Sequence, residues 1–260
     1  MKVCAMQLET ALGNREANFG KVRSLFALAM ADKPDVIVLP ELWDVGFYPD
    51  NVSQLADADG RQAKKLLQDL ARRHDVNIVG GSVAELRHGK VRNTNFVIDR
   101  QGKILHEYSK THLFSPAGEH QHFAAGDLTG VYRLDGTVAA SIICYDVRFP
   151  ELTRKLALEG CQVLFVPAAW PHPRLEHWQI LPRARAIENQ MYVVAVNGVG
   201  TQGSLTFCGH STIVGPWGDT VGTLGEEEGL LYGSLDLAVV DDIRRRINVF
   251  HDRRPELYGL

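Results

Sequence analysis

Residues 138–160 read VAASIICYDVRFPELTRKLALEG, and the rest of the chain is best read outward from them. The stretch opens on an apolar run, Val138 to Ile143, the pattern of a strand buried on both faces. It closes as a helix. Pro150 suits a first helical turn, where its missing N–H leaves no bond unmade, and Glu151 follows it. Leu152, Leu156 and Leu158 then recur at helix-like spacing, and Gly160 supplies a stop. Cys144 falls between the two, on a tight turn that lifts its side chain out of the sheet edge toward the positive end of the coming helix. That field, with any nearby cation, favours thiolate over thiol, and the thiolate is the form that attacks a carbonyl. The plain alternative is an inert core cysteine, a residue type often buried. One cysteine without partners does not choose between them.

Upstream, Val3 to Leu8 reads as a first strand and Asn14 to Ala31 as an amphipathic helix, broken by Asp32-Lys33-Pro34. The apolar run VIVLP follows, ending at Pro40 and Glu41. Gly60 to His74 is a second helix, and Asn77 to Val83 a strand with Gly80 and Gly81 inside it. Asn93 to Ile98 and Ile104 to Tyr108 form a hairpin around Arg100-Gln101-Gly102. Ser109 to Gly130 is polar and aperiodic, a long loop of the kind that is often functional. Downstream come a strand at Gln162 to Val166, a helix at Leu175 to Gln190 and a buried strand at Met191 to Val196. Three antiparallel strands close the chain, at Ser211 to Val214, Asp219 to Leu224 and Gly229 to Asp236. Helices beside strands, twice over, make a layered α/β fold, and this many strands fit two packed sheets with helices outside better than one sheet.

With 260 residues, 45% of them hydrophobic, there is chain enough for a large core. No linker, composition shift or repeat divides it, so a single domain over residues 1–260 is expected. A net charge of −3 gives no pull toward nucleic acid or anionic membrane, and Arg244-Arg245-Arg246 reads as the solvated face of a late helix. No apolar run reaches membrane-spanning length, and MKVCAMQLET is too short and polar for a signal peptide. Cys4, Cys144, Cys161 and Cys208 are scattered without a CxxC pair. That argues against a disulfide framework or a cysteine zinc site and fits a reducing cytoplasm.

Other residues offer chemistry, each with a bland alternative. Glu41, at the end of a buried apolar strand, is a desolvated carboxylate suited to a general base, or simply a capped or salt-bridged side chain. Lys110, in YSKTHLF, could hold a developing oxyanion or be a surface lysine. Glu119, nine positions on in the same loop, could orient Lys110 or be solvated. His112, His120 and His122 match neither HExxH nor a zinc finger, so free or hydrogen-bonded histidines are expected there. Gly198 to Gly203 spells GxGxxG after a strand, but no helix follows, so it reads as a glycine loop carrying no dinucleotide. Gly209-His-Ser-Thr-Ile213 misses the last glycine of the hydrolase elbow.

Taken together and in order, Glu41 in VLPELW, Lys110 in YSKTHLF and Cys144 in IICYDVRFPEL resemble the Glu-Lys-Cys triad of the nitrilase superfamily of carbon–nitrogen hydrolases. The resemblance extends through AAWPHPRLEHW, ARAIENQ and GHSTIVGPWG and is greatest to the omega-amidase branch. It implies a four-layer αββα sandwich, usually dimerised by stacking helices, and a second supporting glutamate at Glu119. It also implies hydrolysis of the terminal amide of a small carboxylate-bearing substrate, through a Cys144 thioester, with no metal or organic cofactor. The backbone N–H of Tyr145 would share the oxyanion with Lys110. Arg148, four residues past the nucleophile, suits bidentate carboxylate binding or a salt bridge with Glu151. Tyr48, Trp170, Arg174 and His177 are further pocket candidates. The alternatives are hydrolysis of N-carbamoyl amino acids or aliphatic amides with the same triad, or a non-catalytic binding protein on this scaffold.

Overall fold

The computed structural model describes residues 1–258, so the last two residues of the RRPELYGL tail lie outside the described residues. The first half of the chain forms β1 (Lys2–Gln7), α1 (Arg15–Ala29), β2 (Val36–Val38), α2 (Val52–Leu55), β3 (Asp57–Ala58), α3 (Arg61–His74), β4 (Asn77–Val79), β5 (Val83–Arg87), β6 (Lys90–Ile98) and β7 (Ile104–Ser109). Next come α4 (Glu119–His122), β8 (Val131–Leu134), β9 (Thr137–Ser141), α5 (Pro150–Leu158), β10 (Val163–Ala168), α6 (Leu175–Asn189) and β11 (Tyr192–Asn197). The chain ends through β12 (Val199–Gln202), β13 (Leu205–Cys208), β14 (Thr212–Val214), β15 (Thr220–Thr223), β16 (Gly229–Ser234), α7 (Leu237–Arg246) and α8 (Pro255–Tyr258).

The strands form two main sheets. One has eight strands in the order β16-β1-β2-β4-β6-β5-β3, with β7 also on β6; the other has six, β15-β14-β11-β10-β9-β8. Both carry parallel strands at their centres, β1-β2-β4 in one and β9-β10-β11 in the other. Side-chain alternation explains why the central strands are apolar throughout. Val3, Ala5, Val36 and Val38 pack against Val163, Phe165, Val194 and Val196 between the sheets. The intervening Cys4, Met6, Ile37 and Leu39 face α1 and α3 through Phe26, Leu67 and Leu70. On the far side, Leu164, Val166, Val193 and Ala195 pack with Leu152, Leu156, Trp178 and Ala186 of α5 and α6. Each central strand thus has two buried faces. The result is the four-layer αββα sandwich that the resemblance implies.

The local readings need three adjustments. Asn77 to Val83 is not one strand: Gly80 and Gly81 divide it into β4 and β5. Gly198 to Gly203 is not a loop but the first arm of the β12–β13 hairpin, paired from Val199↔Cys208 to Gln202↔Leu205. In the late helix α7, Arg245 and Arg246 are solvated, but Arg244 turns inward and donates to the Cys161 carbonyl at 2.6 Å.

Candidate active site

The carboxyl ends of the central strands from both sheets converge on one place. Glu41 follows β2 by three residues, and its backbone N–H donates to Ala168 O, at the end of β10, at 3.3 Å. In return Ala169 N donates to Glu41 Oε2 at 2.9 Å, so the two sheets are joined at the acid itself. The segment around Glu41 is held by its neighbour. Leu39 N donates to Val79 O, and Ser82 N to Pro40 O, both at 3.0 Å. Gly81 makes this approach possible: its φ is +60°, and a Cβ there would lie 2.0 Å from Pro40 O.

Lys110 follows β7 directly and its side chain is 1% exposed. Its ammonium lies 2.8 Å from Glu41 Oε1 and 2.9 Å from both oxygens of Glu119. Glu119, the first residue of α4, also accepts from Phe114 N at 2.6 Å. Burial alone would depress the Lys110 pKa, but Glu41 and Glu119, with Cys144, hold it well above the usual lysine value. The lysine is a permanent cation between two buried carboxylates.

A residue the sequence reading missed completes this cluster. Asn93, in β6 and fully buried, donates from Nδ2 to Glu41 Oε1 at 2.8 Å and to Glu119 Oε1 at 3.3 Å. No motif marks an asparagine in Val-Arg-Asn-Thr-Asn; only the β6–β7 pairing, which places it beside Lys110, could have pointed to it.

Cys144 sits at the turn after β9, but the geometry differs from the expectation. Its φ is +47°, a left-handed conformation rare outside glycine, and a short 3₁₀ helix (Cys144–Arg148) precedes α5. The sulfur therefore does not sit on the end of α5. Burial, reinforced by the Glu41 charge, raises the Cys144 pKa well above the ordinary thiol range, against the smaller opposing pull of Lys110. That direction opposes the helix-field argument for a thiolate and agrees with a sulfur that gives its proton to a neighbouring base. The N–H of Tyr145, in the first turn of the 3₁₀ helix, finds no backbone acceptor among the described residues.

A narrow cavity of about 20 Å³ opens onto the sulfur, walled by Phe47, Phe114, Ala169 and Pro171 with the residues named next. Lys110 lines it, as do the pocket candidates Tyr145, Arg148, Trp170 and Arg174. Tyr48 and His177 do not. Tyr48 is tied behind the wall, its hydroxyl donating to Ala117 O at 3.0 Å. His177 lies outside, its Nδ1 3.1 Å from Arg148 Nη2. Arg148 makes no salt bridge with Glu151. Among the described residues neither Arg148 nor Arg174 has a carboxylate within 4.0 Å. Arg148 lies over the Trp170 ring at 4.6 Å, Arg174 over Phe114 at 4.9 Å. Burial and then the Arg174 charge lower the Arg148 pKa, as two unneutralised cations sharing a wall should. His112, His120 and His122 form no metal group: among the described residues no three metal-ligating side chains converge.

Comparison with known proteins agrees with this arrangement. Over 256 residues, 98% of each chain, the sequence is 42% identical to a 2-oxoglutaramate amidase of Bacillus subtilis (strain 168). It is 30% identical over 252 residues to an omega-amidase of Homo sapiens, covering 94% of this chain and 91% of that one. Among solved structures, a CN-hydrolase superfamily protein from Xanthomonas campestris, with an arsenic adduct in its active site, superimposes with a TM-score of 0.92 at 27% identity, covering 98% and 97% of the two chains. An amidase variant from Nesterenkonia sp. AN1, bearing the product of acrylamide addition at its active-site cysteine, matches with a TM-score of 0.87 at 28% identity over 100% and 98%. The carbon–nitrogen hydrolase profile matches residues 2–245. With the sandwich fold and a buried Glu-Lys-Cys cluster at its strand ends, this chain belongs to the carbon–nitrogen hydrolase family, in the omega-amidase-like branch of the nitrilase superfamily.

Proposed function

We propose that the protein is an omega-amidase, hydrolysing the terminal amide of a short dicarboxylic monoamide such as 2-oxoglutaramate. The observation that carries this reading is the pair of arginines, Arg148 and Arg174, lining the Cys144 cavity with no acidic partner. Two cations left unneutralised beside a nucleophile are poorly suited to a neutral amide. A substrate carboxylate relieves their repulsion and can be gripped by two N–H donors at once.

The chemistry follows from the hydrogen bonds. Glu41 Oε1 is occupied by Lys110 and Asn93, while Oε2 accepts only Ala169 N and keeps a lone pair for the thiol proton. As that proton moves to Glu41, the sulfur bonds to the amide carbon. The oxyanion is held by Lys110 and the Tyr145 N–H. Glu41 returns the proton to the nitrogen, the carbon–nitrogen bond breaks and ammonia leaves a thioester. Water then attacks the thioester, losing a proton to Glu41, and that proton passes to the departing sulfur. Asn93 and Glu119 hold Lys110 and Glu41 in place throughout.

The exposed apolar residues Leu158, Ile180, Ile187 and Trp217 support a homodimer joined through the α5–α6 layer. We take residues 1–260 as one functional domain. The four cysteines, all free and buried, support a reducing cytoplasmic setting. No helix among the described residues is long and apolar enough to cross a membrane.

Steady-state comparison of 2-oxoglutaramate with a neutral aliphatic amide of equal length tests the reading. The carboxylate substrate should win by about a hundredfold or more in kcat/KM, the value of a well-made charged contact. Replacing Arg148 or Arg174 by Met should erase most of that preference through KM. Equal efficiency on both amides, or higher efficiency on an N-carbamoyl amino acid, would reject it.

A further inference from the structure

Cys144 and Lys110 belong to different sheets, and no hydrogen bond of the catalytic cluster joins the turn of one to the strand of the other. One buried carboxylate does. Asp146 is 0% exposed and lies two residues past the nucleophile. Its Oδ2 accepts from the backbone N–H of Ile143, the residue before Cys144, at 2.9 Å, and from the Tyr108 hydroxyl at 2.7 Å. Its Oδ1 accepts from His112 N at 2.9 Å and lies 2.8 Å from His112 Nδ1. Tyr108 and His112 stand two residues before and two residues after Lys110. The His112 ring in turn stacks on Phe149 at 3.6 Å, just before α5.

Among the described residues no lysine or arginine pairs with Asp146; histidine, hydroxyl and backbone donors satisfy it instead. A buried carboxylate with no lysine or arginine beside it is costly and weak evidence for stability alone. Its donors are distributed in a way that gives it another use. One, Ile143 N, adjoins Cys144 on its own chain segment, and the others, from Tyr108 and His112, flank Lys110 on the second. Asp146 does not line the cavity, so it does not contact substrate.

We propose that Asp146 is a positioning residue for the reaction, its carboxylate fixing the separation of the Cys144 sulfur and the Lys110 ammonium. This rests on the assignment of Cys144 and Lys110 above. Near-attack geometry is sensitive: a misplacement of about 1 Å costs roughly a hundredfold in rate. An amide in place of the carboxylate turns hydrogens toward donors on one of the two sides and releases that segment.

The test measures kcat, KM and thermal unfolding for Asp146→Asn and Tyr108→Phe, with Cys144→Ala as reference, on 2-oxoglutaramate. Tyr108→Phe removes one of the bonds and should fold normally, losing about three- to tenfold in kcat, the value of a single hydrogen bond. Asp146→Asn should lose about a hundredfold in kcat. In both, KM should stay within about twofold, because the arginines that hold the substrate are not among the donors to Asp146. A purely structural role would lower the unfolding temperature and leave kcat of the folded enzyme unchanged, and that result overturns the proposal. Should Asp146→Asn fail to fold, Tyr108→Phe decides alone, with wild-type kcat counting against it. Turnover by Cys144→Ala would instead remove the nucleophile assignment, a separate failure visible in its own arm.

Discussion

Lys110 is the residue on which charge balance at the site depends. It is the one cation among two carboxylates, each 0% exposed at the side chain. Lys110→Met should therefore do two things. It should cut kcat by about a hundredfold to a thousandfold, the usual cost of losing an oxyanion donor. It should also destabilise the fold by about 3–5 kcal/mol, because Glu41 and Glu119 are left buried without a counter-charge. Urea unfolding measures the loss, and a variant as stable as wild type would contradict the charge argument. At this scale the sequence exposed the acid, the amine and the sulfur because each ends or follows an apolar strand in a distinctive local context. It could not expose Asn93, whose role comes from a neighbouring strand's register. Nor could it give the direction in which the Cys144 pKa moves, which depends on how deeply the sulfur is buried and how near Glu41 lies.

Among the elements, the ends of strands matter more than their middles. VIVLP reads as a buried strand from its composition alone, and the stretch from Val138 to Gly160 was legible as strand, turn and helix. The 3₁₀ turn between them was not, because its five residues carry no periodicity. The β12–β13 hairpin was missed for a related reason: Gly200 and Gly203 mask a strand pattern that pairing alone makes plain. Gly81 shows what a glycine inside an apparent strand can mean. It ends β4 and lets the chain pass against Pro40 beside Glu41. Gly81→Ala should cost about 3 kcal/mol in a denaturant titration, from the left-handed backbone and the clash together. The shift imposed on Glu41 should lower kcat of the folded fraction as well. A stability within about 0.5 kcal/mol of wild type would mean that the contact is loose.

At the scale of the whole molecule, the Glu41-Lys110-Cys144 cluster exists only because two sheets stack. The acid, the amine and Asn93 come from the first sheet and its connections, the sulfur and Ala169 from the second. Two-sheet layering was readable from the strand count, and the four layers came with the family resemblance. The apolar patch on the outer helices was not separable from core pattern in the sequence. Ile180 and Ile187 of α6 and Trp217, beside the Gly218 against which Ile187 packs, are each about half exposed, 54%, 49% and 54%. A homodimer through this face should elute at twice the mass of one chain in light-scattering chromatography. Ile180→Glu combined with Trp217→Glu should give monomers, and a wild-type monomer at micromolar concentration would reject the interface.

The upward push on the Cys144 pKa, from burial first and then the Glu41 charge, also bears on how the enzyme ages under oxidants. Peroxide reacts with sulfur anions, so a thiol whose pKa is raised by burial and a facing carboxylate is a poor substrate for sulfenic acid formation. Inactivation by hydrogen peroxide at neutral pH should be slower than oxidation of free cysteine and should accelerate as the solution is made alkaline. Substrate that neutralises the arginines and fills the cavity should slow it further, which would make the enzyme most durable while it is working.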